Sequence, residues 1–398
     1  MEKIKSAILR KQSRLTKEIL VGGKRPYFEN IDLSSRGTLL IGPRGVGKTT
    51  FLLSQINTNP DAVYMSLDDL MLQNVSLYEL VESFYNDGFR KFFLDEVHYR
   101  EKWSQEIKSL YDSYPSAKIT ISDSSTLILR TGTADLSRRF PKSFMPLLSF
   151  REYIYLTDHI LLPVFDPVSG YKKHKQINLP DSIEKYRKNF NINKTFLSFL
   201  EAGQRPFFLE GRYSDRILNI IEKTIFTDIP FFLPSLQKNH LNALSSIVNY
   251  ISESTIPTIN IQTLCNQWEI GKDKVYELLN VLQATGILNV IHNTHSPKGS
   301  SKGDKIFFQD CSFYSVLEGN LGSRREAYFT SVLRTVRAAG LDVITSKNEE
   351  DGDFVVSDIL FELGGKGKSK KRAHVVVKET LDDIYHDQWP LWAFGFLW

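Results

Sequence analysis

Residues 42–49 constrain the fold of this chain more than any other segment, and they read GPRGVGKT. The octapeptide directly follows an apolar run at 38–41 and directly precedes a second apolar stretch at 50–56, which predicts a strand, a loop and a helix in that order. Its three glycines let the backbone turn tightly, so that amide N–H groups point inward at phosphate oxygens. The following helix adds its positive N-terminal end. The segment therefore predicts a loop that holds the phosphates of a nucleotide.

The residue types in this loop indicate ATP and Mg²⁺ as the bound groups. We expect Lys48 to reach the β- and γ-phosphates and Thr49 to place its hydroxyl on Mg²⁺. The remaining predicted nucleotide contacts are Gly42, Pro43, Arg44, Gly45, Val46, Gly47 and Thr50.

A second segment, residues 91–98, supplies acids to such a loop and reads KFFLDEVH. An apolar strand ends here in two acids, of which Asp95 is expected to hold Mg²⁺ through water and Glu96 to polarise the attacking water. A protein that only binds a nucleotide has no need of the second acid, so the pair favours hydrolysis. The alternative is a strand that ends in two solvated carboxylates.

Two weaker candidates lie further along the chain. The apolar run at 118–121 ends in Ser122, which we expect to sense the γ-phosphate, although a simple polar turn remains an alternative. Arg138 and Arg139 follow a loop, and one of them is a candidate arginine finger for a neighbouring subunit's nucleotide in a homo-oligomer. Exposed arginines without a function are common, so both interpretations stay open.

The pattern of apolar runs predicts an α/β fold with several domains, as a length of 398 residues also suggests. Short apolar runs alternate with helical stretches or loops up to residue 121, which is typical of a parallel sheet. A Pro- and Gly-containing connector at 157–180 and a helical region at 181–237 follow. Three helices and two strands then predict a winged helix-turn-helix, at 241–250, 261–268, 272–285, 287–292 and 305–308.

Composition narrows the class of protein only a little. A net charge of +4 does not by itself argue for nucleic acid. The two cysteines, Cys265 and Cys311, are far apart, and the eight histidines are scattered, so we expect neither a disulfide framework nor a histidine metal site. No apolar stretch is long enough to span a bilayer, and we expect a cytoplasmic protein without a membrane partner.

Several segments together resemble the bacterial and archaeal AAA-type ATPases that carry a C-terminal domain of unknown function. The resemblance rests on GPRGVGKTT, FLDEVH, ISDSS and LLSFREY, and it continues at 213–230, 325–329, 353–356, 361–370 and in the final PLWAFGFLW. It implies an AAA-like core, a winged helix and a C-terminal domain similar to the restriction-endonuclease fold. Carried over by position, Lys48 and Thr49 match the phosphate loop, Asp95 and Glu96 match the acidic strand, and Arg139 matches the arginine before the PLSF-like segment.

The resulting expectation is a chain of four parts. They are an ATPase core with an N-terminal helix, a connector with helices, a winged helix-turn-helix and a small α/β restriction-endonuclease-like domain, at 1–156, 157–237, 238–320 and 321–398.

A nuclease of the last fold holds its metal with an acid on one strand and Glu-x-Lys on the next. Asp353 and Glu362 fit the two acids, with Glu326 upstream, but Gly364 stands in the lysine position and Lys366 lies two residues beyond it. We therefore expect a nuclease-like domain without nuclease activity.

The leading hypothesis is an ATPase whose hydrolysis moves the winged helix and the C-terminal domain. The alternatives are an ATP-regulated DNA-binding protein and an ATP-gated nuclease. The candidate DNA-binding surface is Lys272, Lys274, Tyr276, Asn280, Lys298, Lys302 and Lys305.

Overall fold

The chain divides into two compact units, Met1–Pro146 and Leu147–Trp398. The division falls ten residues before the predicted end of the ATPase core at 156. The computed structural model describes residues 1–19, 24–124, 136–174, 177–255, 261–293, 304–336, 342–346, 351–365, 372–381 and 384–398, with the side chains of 173–174 excepted.

The first unit is built on a parallel sheet of five strands in the order β2-β3-β4-β1-β5. The strands are β1 (Gly37–Ile41), β2 (Ala62–Ser66), β3 (Lys91–Asp95), β4 (Lys118–Asp123) and β5 (Lys142–Phe144). The helices are α1 (Glu2–Ile19), α2 (Lys48–Ile56), α3 (Leu77–Asn86) and α4 (Trp103–Ser113). Strand β1 is buried at all five positions, as an inner strand of a covered parallel sheet should be.

Strand register brings the functional segments to one edge of this sheet. Ile41 lies opposite Asp123, and Leu94 lies opposite Ile121. The carboxyl ends of β1, β3 and β4 therefore meet, which is where parallel α/β sheets bind ligands.

The outer strand β2 is covered by α1. The Gln12 amide accepts a hydrogen bond from Tyr64 N at 2.8 Å and donates one to Ala62 O at 3.5 Å. These bonds occupy backbone groups that an edge strand would otherwise expose.

The second unit begins with helices whose buried faces combine aliphatic and aromatic side chains. They are α5 (Phe150–Asp158), α6 (Pro167–His174), α7 (Asp181–Asn189), α8 (Ile192–Ala202), α9 (Tyr213–Lys223) and α10 (Ile229–Phe232), with a π-helical turn at Thr224–Asp228 between the last two. Helix α6 lies in the segment that was predicted to be an irregular connector.

Three helices and an antiparallel strand pair follow: α11 (Lys238–Glu253), α12 (Ile261–Trp268), α13 (Lys272–Ala284), β6 (Leu288–Ile291) and β7 (Lys305–Phe308). The rest of the unit contains α14 (Ser312–Val316), α15 (Leu321–Thr335), β8 (Val343–Thr345), β9 (Phe354–Val356), β10 (Ile359–Gly364), β11 (Val375–Lys378) and β12 (Gln388–Pro390). Strands β8 to β12 form one sheet in the order β12-β11-β10-β9-β8. Sequence reasoning did not predict β8 or β12, which are only three residues long.

Buried polar contacts cross the domain boundary predicted at 320/321. Asn289 of β6 donates to Thr330 Oγ1 of α15 at 3.3 Å, and Arg334 donates to Val290 O at 3.0 Å. Residues on both sides of that boundary thus share one core. The final apolar segment, Leu391–Phe396, is a buried 3₁₀ helix. No helix among the described residues is long and apolar enough to cross a membrane.

Candidate nucleotide site

The phosphate loop joins β1 to α2, and its glycines serve two different purposes. Gly45 and Gly47 have φ of +80° and +99°, which only glycine adopts without strain. Gly42 is needed for space, because a Cβ at this position would lie 2.2 Å from the Met145 carbonyl oxygen. Close approach of the backbone after β5 is thus an additional reason for a glycine at position 42.

Lys48, the first residue of α2, is buried with its ammonium against the loop. Its Nζ donates to Gly42 O at 2.7 Å and to Pro43 O at 3.1 Å. Burial lowers the pKa of Lys48, while the nearby charges of Glu96 and Asp95 raise it. The lysine that was predicted to contact phosphate thus lies beside the acidic pair that was predicted to complete the site.

Asp95, the last residue of β3, is contacted by the second predicted loop side chain. Thr49 Oγ1 donates to Asp95 Oδ2 at 2.6 Å, and the Tyr64 hydroxyl donates to the same oxygen at 2.9 Å. Burial and the charge of Asp95 raise the pKa of Tyr64, so Tyr64 remains a donor. Hydroxyl and carboxylate oxygens are the ligands that Mg²⁺ prefers, and Thr49 and Asp95 therefore fit as its protein ligands.

Ser122 donates a hydrogen bond to Asp95 Oδ1. This contact follows from strand register, because Leu94 and Ile121 are paired and the next residue on each strand is Asp95 and Ser122. Ser122 was expected to sense the γ-phosphate, but its described contact orients the carboxylate of Asp95.

Glu96 begins the turn after β3 with a left-handed backbone, at φ +51°. Its Oε1 accepts a hydrogen bond from Ser124 Oγ at 2.6 Å. Its Oε2 is buried and accepts no hydrogen bond from the residues that the structure describes. A buried carboxylate oxygen without a donor is costly, so this atom has the capacity to accept a hydrogen bond from a water molecule.

The structure adds His98 and Asp123 to this edge, which sequence reasoning missed. His98 Nδ1 lies 2.6 Å from Asp123 Oδ2 and 3.6 Å from Glu96 Oε2, and both His98 and Asp123 are buried. Potential ligand atoms of Glu96, His98 and Asp123 lie within 4.8 Å of one another. The expectation of scattered histidines without a cluster holds for the spacing in sequence, but His98 joins two acids through the β3–β4 register.

Arg25 is a third missed residue, and it supports the backbone of the phosphate loop. Its side chain is buried, and Nη1 donates to Val46 O at 2.7 Å and to Pro146 O at 3.0 Å. The sequence offered only its place in a basic N-terminal stretch, which does not distinguish it from the exposed lysines and arginines nearby.

Arg139 lies away from the phosphate loop of its own chain. It forms a two-pronged ion pair with Asp112 of α4, with Nε–Oδ1 at 2.8 Å and Nη2–Oδ2 at 3.0 Å. Its carbonyl oxygen is 2.5 Å from the Cβ that would be built on Gly37, at the amino end of β1. Since the loop follows the carboxyl end of this strand, the two are separated by about 13 Å at 3.3 Å per residue.

The acids of the predicted nuclease site do not form a metal cluster among the described residues. Lys305 Nζ lies 3.0 Å from Glu326 Oε2 and 3.6 Å from Asp353 Oδ1. Asp353 Oδ2 accepts a hydrogen bond from Leu363 N at 2.8 Å, and Glu362 is buried. Lys305 was expected on a DNA-binding surface, but its ammonium lies against Glu326 and Asp353. Lys298, Lys302 and Lys366 lie outside the described residues.

Helix α13 carries the rest of the predicted DNA-binding surface. Lys272 and Asn280 are exposed, Lys274 pairs with Glu277 at 2.6 Å, and the Lys272 ammonium lies 5.8 Å from the Tyr276 ring centre.

Residues 34–154 match the family described as an AAA domain. An uncharacterized protein of Methanocaldococcus jannaschii is 28% identical over 335 residues, which cover 79% of this chain and 68% of the relative. The matched segment contains the phosphate loop and the acidic pair, so this part of the chain is similar to AAA domains.

Three solved structures are similar at low identity. AMPPCP-bound DnaA from Aquifex aeolicus is 13% identical, over 69% of this chain and 87% of that one, with a TM-score of 0.26. The Aeropyrum pernix ORC1 protein in complex with DNA is 11% identical over 77% and 91%, with a TM-score of 0.30. A structure that describes katanin self-assembly is 20% identical over 33% and 49%, with a TM-score of 0.24. At TM-scores below 0.5 these likenesses carry no argument, and the fold rests on the sheet order and the phosphate loop.

Proposed function

We propose that this protein binds ATP at the loop of residues 42–49 and hydrolyses it in a Mg²⁺-dependent reaction. The observation that carries the proposal is the contact of Thr49 with Asp95 at 2.6 Å. The next residue is Glu96, whose buried Oε2 accepts no hydrogen bond from the described residues. A loop that only bound nucleotide would need neither the second acid nor its buried environment.

Each side chain has a role that follows from its position. The backbone amides of the loop and the ammonium of Lys48 bind the phosphate oxygens and compensate their charge. Thr49 and Asp95 would hold Mg²⁺, which would neutralise charge on the β- and γ-phosphates. Glu96 Oε2 accepts a hydrogen bond from the attacking water and orients it, while Ser124 fixes the other oxygen of the same carboxylate.

The test compares Glu96→Gln with Glu101→Gln, which makes the same chemical change at an exposed glutamate of the same unit. We expect Glu96→Gln to lower ATP turnover by about 10²- to 10⁴-fold, the usual range for a lost acid–base group, and to keep nucleotide binding. Lys48→Ala should lose binding itself. Equal turnover in the two glutamate variants, measured as phosphate release, would refute the assignment of Glu96.

A role for Arg139 as an arginine finger in trans requires it to leave Asp112. The matched test is Asp112→Asn, which frees the guanidinium, against Arg139→Ala, which removes it. A finger predicts that only Arg139→Ala lowers turnover, and that the loss is seen only at protein concentrations where the chain is a homo-oligomer. A structural ion pair predicts similar effects of both changes on stability and none on turnover.

We further propose that α11 to β7 form a winged helix-turn-helix that contacts DNA through α13, and that ATP hydrolysis moves this segment and the C-terminal domain. The supporting observation is that α13 buries Val275, Leu278 and Leu279 and exposes Lys272 and Asn280. A phosphate-backbone interface should weaken steeply with salt, and Lys272→Ala should reduce that salt dependence by about one unit of slope. Binding that is independent of salt would contradict this proposal.

We propose that the C-terminal domain has a restriction-endonuclease-like fold without nuclease activity. The ammonium of Lys305 lies between Glu326 and Asp353, where a nuclease would be expected to place a metal ion. Intact duplex DNA after incubation with ATP and Mg²⁺ or Mn²⁺ is the expected result. Cutting that is lost in Asp353→Ala would contradict it.

A further inference from the structure

Three consecutive residues at the end of β4 each contact a side chain at or just after the end of β3. Ser122 contacts Asp95, Asp123 contacts His98, and Ser124 contacts Glu96. The first contact orients the proposed Mg²⁺ ligand and the third holds one oxygen of the proposed catalytic acid. The middle contact, between His98 and Asp123, has no role in the proposed reaction so far.

This middle pair is deeply buried and well fixed. His98 is 3% exposed and Asp123 is fully buried. A carboxylate only accepts hydrogen bonds, so the hydrogen of this 2.6 Å contact lies on His98 Nδ1. The imidazole ring also packs against the Tyr99 ring, with centres 4.3 Å apart, and these contacts restrict its rotation.

The same Nδ1 faces the open oxygen of Glu96. The distance of 3.6 Å between Nδ1 and Oε2 is too long for a hydrogen bond but short enough for electrostatic attraction. Ser124 holds Oε1 from the other side at 2.6 Å. The Ser124 hydroxyl therefore fixes one oxygen of the Glu96 carboxylate. The His98 N–H attracts the other oxygen without forming a hydrogen bond to it.

The backbone brings Glu96 and His98 together within one turn. Glu96 precedes the 3₁₀ turn Val97–Tyr99 and has a left-handed conformation that residues other than glycine rarely adopt. Strained backbone of this kind persists where the surrounding structure demands it, and it is concentrated at functional sites.

We propose that His98, fixed by Asp123, is a positioning residue that orients the carboxylate of Glu96 and leaves its Oε2 open to the attacking water. The proposal rests on the proposed hydrolysis by Glu96. In this proposal His98 acts through Glu96 and takes no direct part in the reaction.

The first test compares His98→Ala with His98→Asn, whose side-chain N–H₂ occupies nearly the place of Nδ1–H. We expect His98→Ala to lower kcat by about 10- to 100-fold, as for an ångström-scale misplacement of a catalytic group, with little change in KM or in ATP affinity. The Asn variant should recover most of the loss. His386→Ala, at an exposed histidine, is the matched control and should behave as the wild type.

Three results of this test would overturn the proposal. The first is an unchanged kcat in His98→Ala. The second is a loss that the Asn variant does not repair, and the third is a loss that appears equally in ATP affinity, because each of these two would indicate a general structural role.

The second test does not depend on turnover. Two-dimensional NMR of ¹⁵N-histidine in the full chain, with His98→Asn to assign the signal, should show the Nδ1–H tautomer at His98. Glu96→Gln should shift that signal, while Glu101→Gln should not. An Nε2–H tautomer, or a signal that ignores Glu96→Gln, would overturn the proposal. A wild-type chain without ATP turnover would refute the proposed function instead, and the NMR result would then decide the link between His98 and Glu96 alone.

Discussion

Gly42→Ala is the sharpest test of how the phosphate loop is positioned. The added Cβ would lie 2.2 Å from the Met145 carbonyl oxygen, about 1.2 Å short of the 3.4 Å at which ordinary contact begins. Both partners are backbone-bound, so no side chain can rotate to relieve the clash. Either the loop or the segment after β5 must move by about an ångström.

The expected cost has two parts. Overpacking of this size destabilises a protein by about 1–3 kcal/mol. An ångström-scale displacement of groups that position a reacting phosphate lowers the rate by about 100-fold. We therefore expect Gly42→Ala to lower ATP turnover about 100-fold and to weaken nucleotide affinity in a fold that remains intact.

The matched control is Gly88→Ala in the same unit. Gly88 has φ +101° and no atom within 4 Å of an added Cβ, so its substitution introduces backbone strain without a clash. Left-handed backbone costs an Ala residue about 1–2 kcal/mol. Denaturant unfolding should give comparable losses for both variants, while only Gly42→Ala should lose turnover. Normal turnover and affinity in Gly42→Ala would refute the close-approach argument.

Three further predictions concern contacts outside the acidic pair. Arg25→Met removes the guanidinium from Val46 O and should weaken ATP affinity about tenfold, with a stability loss of about 1–3 kcal/mol in denaturant unfolding. Arg36→Met, which also removes a guanidinium from two backbone carbonyls, should destabilise the protein by a similar amount and leave its ATP affinity unchanged. Equal ATP affinities in the two variants would contradict a role of Arg25 in the phosphate loop. Thr49→Ala should raise the Mg²⁺ concentration for half-maximal turnover about tenfold, and an unchanged Mg²⁺ titration would exclude Thr49 as a ligand. Lys305→Met removes the ammonium beside Glu326 and Asp353 and should cost about 1–2 kcal/mol of stability, without altering the salt dependence of any DNA binding. A reduced salt slope in that variant would return Lys305 to the DNA-binding surface.

The part of the site that sequence reasoning anticipated lies on continuous segments. The phosphate loop and the acidic strand can each be recognised from their residue types and from the apolar run beside them. Parallel strands place their carboxyl ends together, so the proximity of Thr49 and Asp95 could be expected from the sequence.

The missed residues depend on strand register and on backbone contacts. His98 and Asp123 are 25 residues apart, and only the pairing of β3 with β4 brings them within 2.6 Å. Arg25 acts through carbonyl groups, which leave no trace in the sequence of their partners. Arg139 and Asp112 are 27 residues apart, and only the packing of the folded chain makes them an ion pair.

The predicted division into domains did not anticipate a buried contact between two of its segments. Asn289 and Thr330 lie on opposite sides of the boundary predicted at 320/321, and they are buried against each other. A boundary inferred from a change of pattern cannot anticipate such a contact, because the pattern records periodicity within each element and not what covers it.

The central claim is that Glu96 makes the loop of residues 42–49 a hydrolytic site. The most direct measurement is single-turnover ATP hydrolysis with Mg²⁺ in the wild type and in Glu96→Gln, with nucleotide affinity measured on the same samples. Hydrolysis that falls by at least about 100-fold at unchanged affinity is the predicted result. Hydrolysis at the wild-type rate in Glu96→Gln, or an affinity that falls as far as the rate, would contradict the claim.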